Sequence, residues 1–508
     1  MATAMSVRRV RPLLVAPLVA ATLLASCGTQ VVNPVTGQTE RTSMDEASEI
    51  TEGAKAHKDV LKEYGAVEDP KLQAYVNELG QRLAAQSHRP HLQWTFTVLD
   101  SPEINAFALP GGYVYVTRGI MAYLESEAEL AGVVGHEIGH VTARHAAQRA
   151  TRQQNAGIGV IAATVLGAVL EVGGLSGATN IANKASSNAA AGYVASYSRD
   201  QESQADELGA EYLSRNRYDP KNMVDVIQVL KSQEQFAADT ARAEGKPAPT
   251  KSSWLSTHPA NDKRLADIQA FAAKYHGQTG FADDGRDRYL QAIAGMTFGD
   301  SAQQGLVRGR NFYHPALGFA LTAPQGWRVE NTTDALGVVN GSNDAAMIVR
   351  VVPPNAGSTH DEIIRKVLNP IDGRTEQRTI HGLAATHFSG TVRNDQGQTR
   401  PVAMTLVSGP DGSTFWLQYV AKDAAARQRA EPGLAEAESS FRAMTAADRA
   451  AAKPWTVRTV SYPRGGFAEL AKSSPLPATR AEAQLRLMNG VYGGDGEPRV
   501  GQLVKIVN

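Results

Sequence analysis

His136-Glu137-Ile138-Gly139-His140 sets two imidazoles four residues apart with a glutamate between them. On a helix, residues four apart lie about 40° apart around the axis, so both rings face one side and can share a metal ion. Neutral imidazole suits zinc, and the intervening carboxylate can act as general base toward water. Two protein ligands leave zinc under-coordinated, so a third must come from elsewhere. The metzincin pattern would put glycine at 143 and a third histidine at 146, and both positions are alanine. His145 follows His136 by nine residues, about 180° around an ideal helix, and is expected to point elsewhere. Glu171 sits in an apolar, glycine-rich run with no polar partner. Glu202 is the better candidate. It opens Glu202-Ser203-Gln204-Ala205-Asp206, and Asp206 falls one turn later on the same face, where it can orient a ligating histidine from behind.

Two helices must hold these groups. Ser126 with Glu129 has capping spacing, and Leu130, Val133, Val134, Ile138 and Val141 follow, which predicts a helix from about Ser126. Gly135 and Gly139 each lower helix propensity by about 1 kcal/mol, which implies a second backbone approaching closely there. Ser198 to Arg215 reads as the second helix, ending before Asp219-Pro220. Upstream, Met44 to Gln86 is helical in pattern and broken at Asp69-Pro70. Trp94 to Leu99 alternates like a strand, and Ile104 to Val116 is extended around a bend at Pro110-Gly111-Gly112. Met223 to Phe236 and Asn261 to Tyr275 are further helices. The Gly/Ala/Ser/Asn-rich segment 156–191 is expected to be a mobile or packed insertion, not a membrane span.

Asn105-Ala106-Phe107-Ala108-Leu109-Pro110-Gly111-Gly112, the His136–His140 motif, the Glu202/Asp206 pair and the downstream His258-Pro259 with Arg264 follow one another along the chain. Together they resemble the HtpX/CAAX-protease family of zinc metallopeptidases, over roughly Thr42 to Tyr275, and within it the periplasmic BepA-like lipoproteins. The resemblance implies one Zn2+ per chain on His136, His140 and Glu202, with Asp206 supporting a ligand from behind and Glu137 as catalytic base. It also implies catalytic-site roles for His258 and Arg264. His258 is either a removable fourth ligand or a donor to the oxyanion, a task Arg264 can share. Asn105, Ala106, Phe107 and Ala108 are expected to bind substrate by offering a strand edge to an extended chain. The expected function is a zinc-dependent metalloendopeptidase cleaving unfolded or misassembled envelope proteins, with Glu137 assisting the attack of water on a peptide bond. The alternative is a non-catalytic periplasmic chaperone or assembly factor with a plugged or structural zinc site.

The remaining chain supplies an address and two further units. Arg8, Arg9 and Arg11 precede a mostly apolar run from Pro12 to Ala25, and Leu24-Ala25-Ser26-Cys27 resembles a bacterial lipobox. Residues 1–26 are thus expected to be a signal peptide, with Cys27 lipidated and Gly28 directing the protein to the periplasmic face of the outer membrane. A tether covers 27–43, the peptidase domain 44–280, and a linker with a helix 281–310. Residues 311–445 form an α+β domain whose Phe312-Tyr313-His314-Pro315, Gly318-Phe319 and Pro324-Gln325-Gly326-Trp327 resemble the opening of PsbP-like domains. Ala446 to Pro454 reads as a linker. Residues 453–508 resemble a diverged LysM module, which implies a peptidoglycan contact; the loop with Pro475 and Pro477 departs from the binding pattern and makes a structural cap the alternative. The fold class is α+β: a mainly helical zincin-type metallopeptidase domain with a small sheet, then an α+β domain and a small LysM-like module. Lys+Arg and Asp+Glu both number 51, so no basic excess exists to bind nucleic acid through general electrostatics. The single cysteine excludes an intrachain disulfide.

Overall fold

The computed structural model describes residues 29–155, 197–243, 245, 258, 262–275, 280–332, 335–393, 399–494 and 496–508. The signal peptide with Cys27, Glu171 and the segment 156–191 lie outside the described residues. Two short strands, β1 (Thr29–Val32) and β2 (Thr39–Thr42), pair ahead of α1 (Glu46–Tyr64) and α2 (Pro70–Ala85). The break between the helices follows from capping: Asp69 accepts from the Lys71 and Leu72 amides, and Pro70 occupies the first turn, where its missing N–H costs nothing. A three-stranded sheet comes next, with β5 (Tyr113–Thr117) in the centre. It runs parallel to β3 (Thr95–Leu99) and antiparallel to β4 (Ala106–Leu109), which stands on the edge. Gly111 and Gly112, both at positive φ, turn the β4–β5 hairpin.

A short α3 (Arg118–Met121) leads into α4 (Glu127–Thr142), whose first turn is capped by the Ser126 side chain accepting from the Glu129 amide. Every residue of α4 is buried, as expected of a helix apolar or glycine-rich around its whole circumference. Around it pack α2, β4, α6 (Arg199–Arg215) and α7 (Asn222–Ala243). In chain order, α5 (His145–Asn155) lies between α4 and α6, and α8 (Asp262–Ala273) and α9 (Arg286–Ala292) follow α7. Among the described residues, no helix is long and apolar enough to cross a membrane.

The next unit is a seven-stranded antiparallel sheet. Its order is Arg328–Asn331, Leu336–Val339, Ala345–Val351, Thr414–Ala421, Thr399–Ser408, Leu383–Arg393, Asp372–Ile380. The helix Ala424–Ser439 packs on it through Ala430, Leu434 and Ala437. The stretch read as a linker from Ala446 is instead partly helical, over Ala446–Ala451. Thr445 and Asp448 form a reciprocal capping box, and Asp448 also pairs with Arg442.

The C-terminal residues run strand, helix, helix, strand: Trp455–Ser461, Gly466–Ala471, Ala481–Met488, Leu503–Val507. This module is continuous with the peptidase domain. Trp455–Ser461 pairs with Leu503–Val507 on one side and with Thr297–Phe298 on the other. Val457, Phe467, Leu485, Met488 and Val504 share one apolar core with Met121, Leu124 and Leu130. Lys505, fully buried, donates to the Leu124 carbonyl at 2.5 Å and pairs with Glu125 at 2.8 Å, at the entrance to α4. Burial lowers the Lys505 pKa, and Glu125 opposes that shift.

Candidate metal centre

The glycines of α4 meet the backbone of α6. A Cβ at Gly139 would lie 3.0 Å from the Ala205 carbonyl oxygen, and one at Gly209 would lie 3.1 Å from the His136 nitrogen. This close approach sets the Glu202 and Asp206 side chains of α6 against the histidines of α4. His136 Nε2 and His140 Nε2 are 3.0 Å apart. The Glu202 carboxylate reaches to 3.7 Å from the first and 3.5 Å from the second. One donor atom each from His136, His140, Glu202 and His258 falls within 4.8 Å of the others, and all four residues are buried. Tetrahedral zinc with ligands at about 2.0–2.2 Å has donor–donor edges of roughly 3.3–3.6 Å. The two histidines and Glu202 straddle that range, so the donor set fits zinc in both chemistry and spacing.

The groups behind the donors fix their orientation. Asp206 Oδ1 is 2.9 Å from His136 Nδ1, which leaves Nε2 of that ring facing His140 and Glu202. Arg264, on α8, donates to both oxygens of Asp206 at 2.7 and 2.8 Å and to the His258 carbonyl at 3.1 Å, and forms an ion pair with Glu202 at 2.9 Å. It therefore ties α8 and the His258 segment to the ligand helix. His258 Nε2 stands 3.5 Å from Glu137 Oε1, with its ring centroid 5.2 Å from those of both His136 and His140.

Electrostatics follow burial. Desolvation lowers the pKa of His136, with Asp206 opposing, and puts His140 well below the ordinary imidazole value, helped by the neighbouring histidines. Both rings are held neutral, the form that binds metal. Burial pushes the Glu202 carboxyl well up, with Arg264 opposing. For Asp206 burial also acts upward, but Arg264 and His136 together outweigh it and hold the carboxyl below its ordinary value.

Two neighbours of the site are not where the sequence led one to look. His145 does not point elsewhere: its Nδ1 is 2.9 Å from His140 Nδ1, and its Nε2 is 2.9 Å from Gln204 Oε1. The earlier expectation assumed a continuous helix. In the structure α4 stops at Thr142, and Arg144 at φ +60° redirects the chain. Tyr197 stacks on His140 with centroids 3.8 Å apart and planes 19° apart. It immediately precedes Ser198, the N-cap of α6, a position where a hydrophobic residue commonly fixes the chain's entry to a helix. That placement is the one signal that could have found it. Among the described residues, β4 is paired on one side only, by β5, and the Oδ1 of Asn105 just ahead of it accepts no hydrogen bond, while Ala106 to Leu109 are all buried.

Residues 70–272 match Peptidase family M48. The beta-barrel assembly-enhancing protease of Yersinia pestis is 33% identical over 205 residues, covering 40% of this chain and 39% of that one. Its counterpart in Escherichia coli (strain K12) is 30% identical over 207 residues, again 40% and 39%. The mitochondrial metalloendopeptidase OMA1 of Schizosaccharomyces pombe is 30% identical over 221 residues, 42% of this chain and 58% of that one. The chain thus spans about two fifths of the length of the assembly-enhancing proteases it matches. Among solved structures, LpqN of Mycobacterium tuberculosis (TM-score 0.20, 16% identity, 28% of this chain, 90% of that one) and cyanobacterial PsbP from Synechocystis sp. PCC 6803 (0.21, 13%, 29%, 98%) are similar to part of the chain. Motif, donor geometry and relatives agree: residues 70–272 match the zinc metallopeptidases of Peptidase family M48 and are similar to the beta-barrel assembly-enhancing proteases.

Proposed function

We propose that the protein is a zinc-dependent metalloendopeptidase of the bacterial cell envelope that cleaves unfolded or misassembled proteins, outer-membrane proteins among them. One observation carries this reading: His136, His140 and Glu202 converge around a point that Glu137 also borders, within a fully buried cluster. Bound there, zinc supplies Lewis acidity toward a peptide carbonyl and lowers the pKa of water. Glu137 takes up the water proton and returns it to the leaving amine. The edge of β4 receives an extended chain by main-chain hydrogen bonds, which tolerate many sequences, and Asn105 Oδ1 offers an acceptor beside it. The names of the relatives support barrel-assembly substrates. Digestion of an unfolded outer-membrane protein by wild-type, chelator-treated and Glu137→Gln protein tests the assignment.

His258 favours a latent resting state. Four protein donors fill a zinc coordination sphere, whereas catalysis needs an open position. His258→Ala is therefore expected to raise basal peptidase activity. A fall of about 10²- to 10³-fold would instead make His258 an oxyanion donor. An unchanged rate with unchanged zinc affinity would remove both roles, leaving the chaperone alternative to be judged on the Glu137 variant.

We place the protein in the periplasm, anchored to the outer membrane through lipidated Cys27. Cys27→Ser is expected to move it from the membrane to the soluble fraction after signal-peptide cleavage. Retention in the membrane fraction would overturn the anchor. For the C-terminal module, the core shared with α4 and the buried Lys505 support a structural cap over a peptidoglycan contact.

A further inference from the structure

We propose that Gln204 and His145 together determine which nitrogen of His140 carries its proton, and so whether His140 can bind metal at all. The inference rests on the zinc reading of the site and concerns residues no ligand motif includes. Gln204 Oε1 has only lone pairs to offer, so His145 Nε2, 2.9 Å away, must donate to it. The neutral His145 ring then presents a lone pair at Nδ1. His140 Nδ1, 2.9 Å from that atom, must therefore donate. The proton of His140 is thereby placed on Nδ1, and Nε2 is left with its lone pair turned toward His136 Nε2 and the Glu202 carboxylate. His145 is fully buried, where an uncharged ring that can accept is favoured over an imidazolium.

The two ligand histidines thus reach the same state by different routes. His136 is fixed by a carboxylate, Asp206, which can only accept. His140 is fixed by a neutral relay whose far end is an amide with one accepting and one donating side. Turning the Gln204 amide over would reverse every step. Its NH2 would donate to His145 Nε2, His145 Nδ1–H would donate to His140 Nδ1, and His140 Nε2 would carry the proton. A protonated Nε2 cannot ligate. Gln204 and His145 are positioning residues, acting on the metal only through His140.

The test compares Gln204→Glu, Gln204→Leu and Gln204→Lys by zinc competition against a chelator and by 15N NMR of the histidine rings in the metal-free protein. Glutamate keeps the acceptor and should hold zinc affinity near wild type. Lysine offers only a donor and should lower affinity about 10- to 100-fold, the usual loss for a partner behind a ligand. Leucine, offering neither, should fall between them. In the metal-free wild type, His140 should show a protonated Nδ1 and a bare Nε2. A merely structural role would give no such ordering and no tautomer change. The proposal is overturned if the lysine variant binds zinc as tightly as the glutamate variant, or if wild-type His140 carries its proton on Nε2. The wild-type spectrum decides the matter even if a variant fails to fold. Absence of zinc binding by wild type would instead sink the metal reading itself, and the ring spectrum would still report on the relay.

Discussion

Glu137→Gln is expected to lower peptide hydrolysis about 10²- to 10⁴-fold while zinc content stays at the wild-type level. The expectation follows from the division of labour on α4. His136 and His140, Glu202 from α6 and His258 offer the clustered donor atoms, and Glu137, buried between the two α4 histidines in sequence, does not belong to that group. Glutamine keeps the volume and one oxygen but cannot accept the proton of an attacking water. Zinc counted by elemental analysis, alongside single-turnover cleavage of an unfolded protein, separates the two effects. A variant that cleaves at the wild-type rate would end the assignment of Glu137 as base. One that loses zinc in proportion to activity would show a structural contribution instead.

Arg264→Met should destabilise the fold by about 3–5 kcal/mol, the cost of leaving buried charge uncompensated. Arg264 is 5% exposed and stands between Asp206 and Glu202, both buried, while also binding the His258 carbonyl. Methionine fills much of the space but supplies no donor, so both carboxylates lose their cation. Zinc affinity should fall as well, because Asp206 orients His136. Urea titrations with and without zinc measure both quantities. Adding Asp206→Asn to Arg264→Met should recover part of the stability, since it removes one of the stranded charges. An unchanged urea midpoint for the single variant would show that Arg264 is not what balances the pair.

The sequence yielded the donor set because its chemistry is local. His136 and His140 stand one helical turn apart, and Glu202 and Asp206 share one face of a second helix whose close approach was announced by Gly135 and Gly139. The helix pair α1 and α2 was equally legible, since Asp69-Pro70 leaves one interpretation of the break. His145 was misread because a single residue, Arg144, takes a left-handed conformation that no periodicity reveals. Asp372–Ile380 is illegible in the sequence for another reason. It is an edge strand of polar, mostly exposed residues, held by backbone pairing with Leu383–Arg393 and not by an apolar alternation that could be seen in advance. The helix at Ala446–Ala451 hid behind a small-residue composition that reads as linker, although Thr445 and Asp448 carried the capping signal.

The contact of Lys505 with Leu124 and Glu125 makes the packing at the start of α4 depend on residues far along the chain. A ribosome finishes the motif at 136–140 and Arg264 long before it adds Lys505. Until then α4 lacks the strand Leu503–Val507 and the helix Ala481–Met488 that complete the core around its entrance. A nascent chain halted anywhere in between holds all its metal donors without the packing that steadies the helix bearing them.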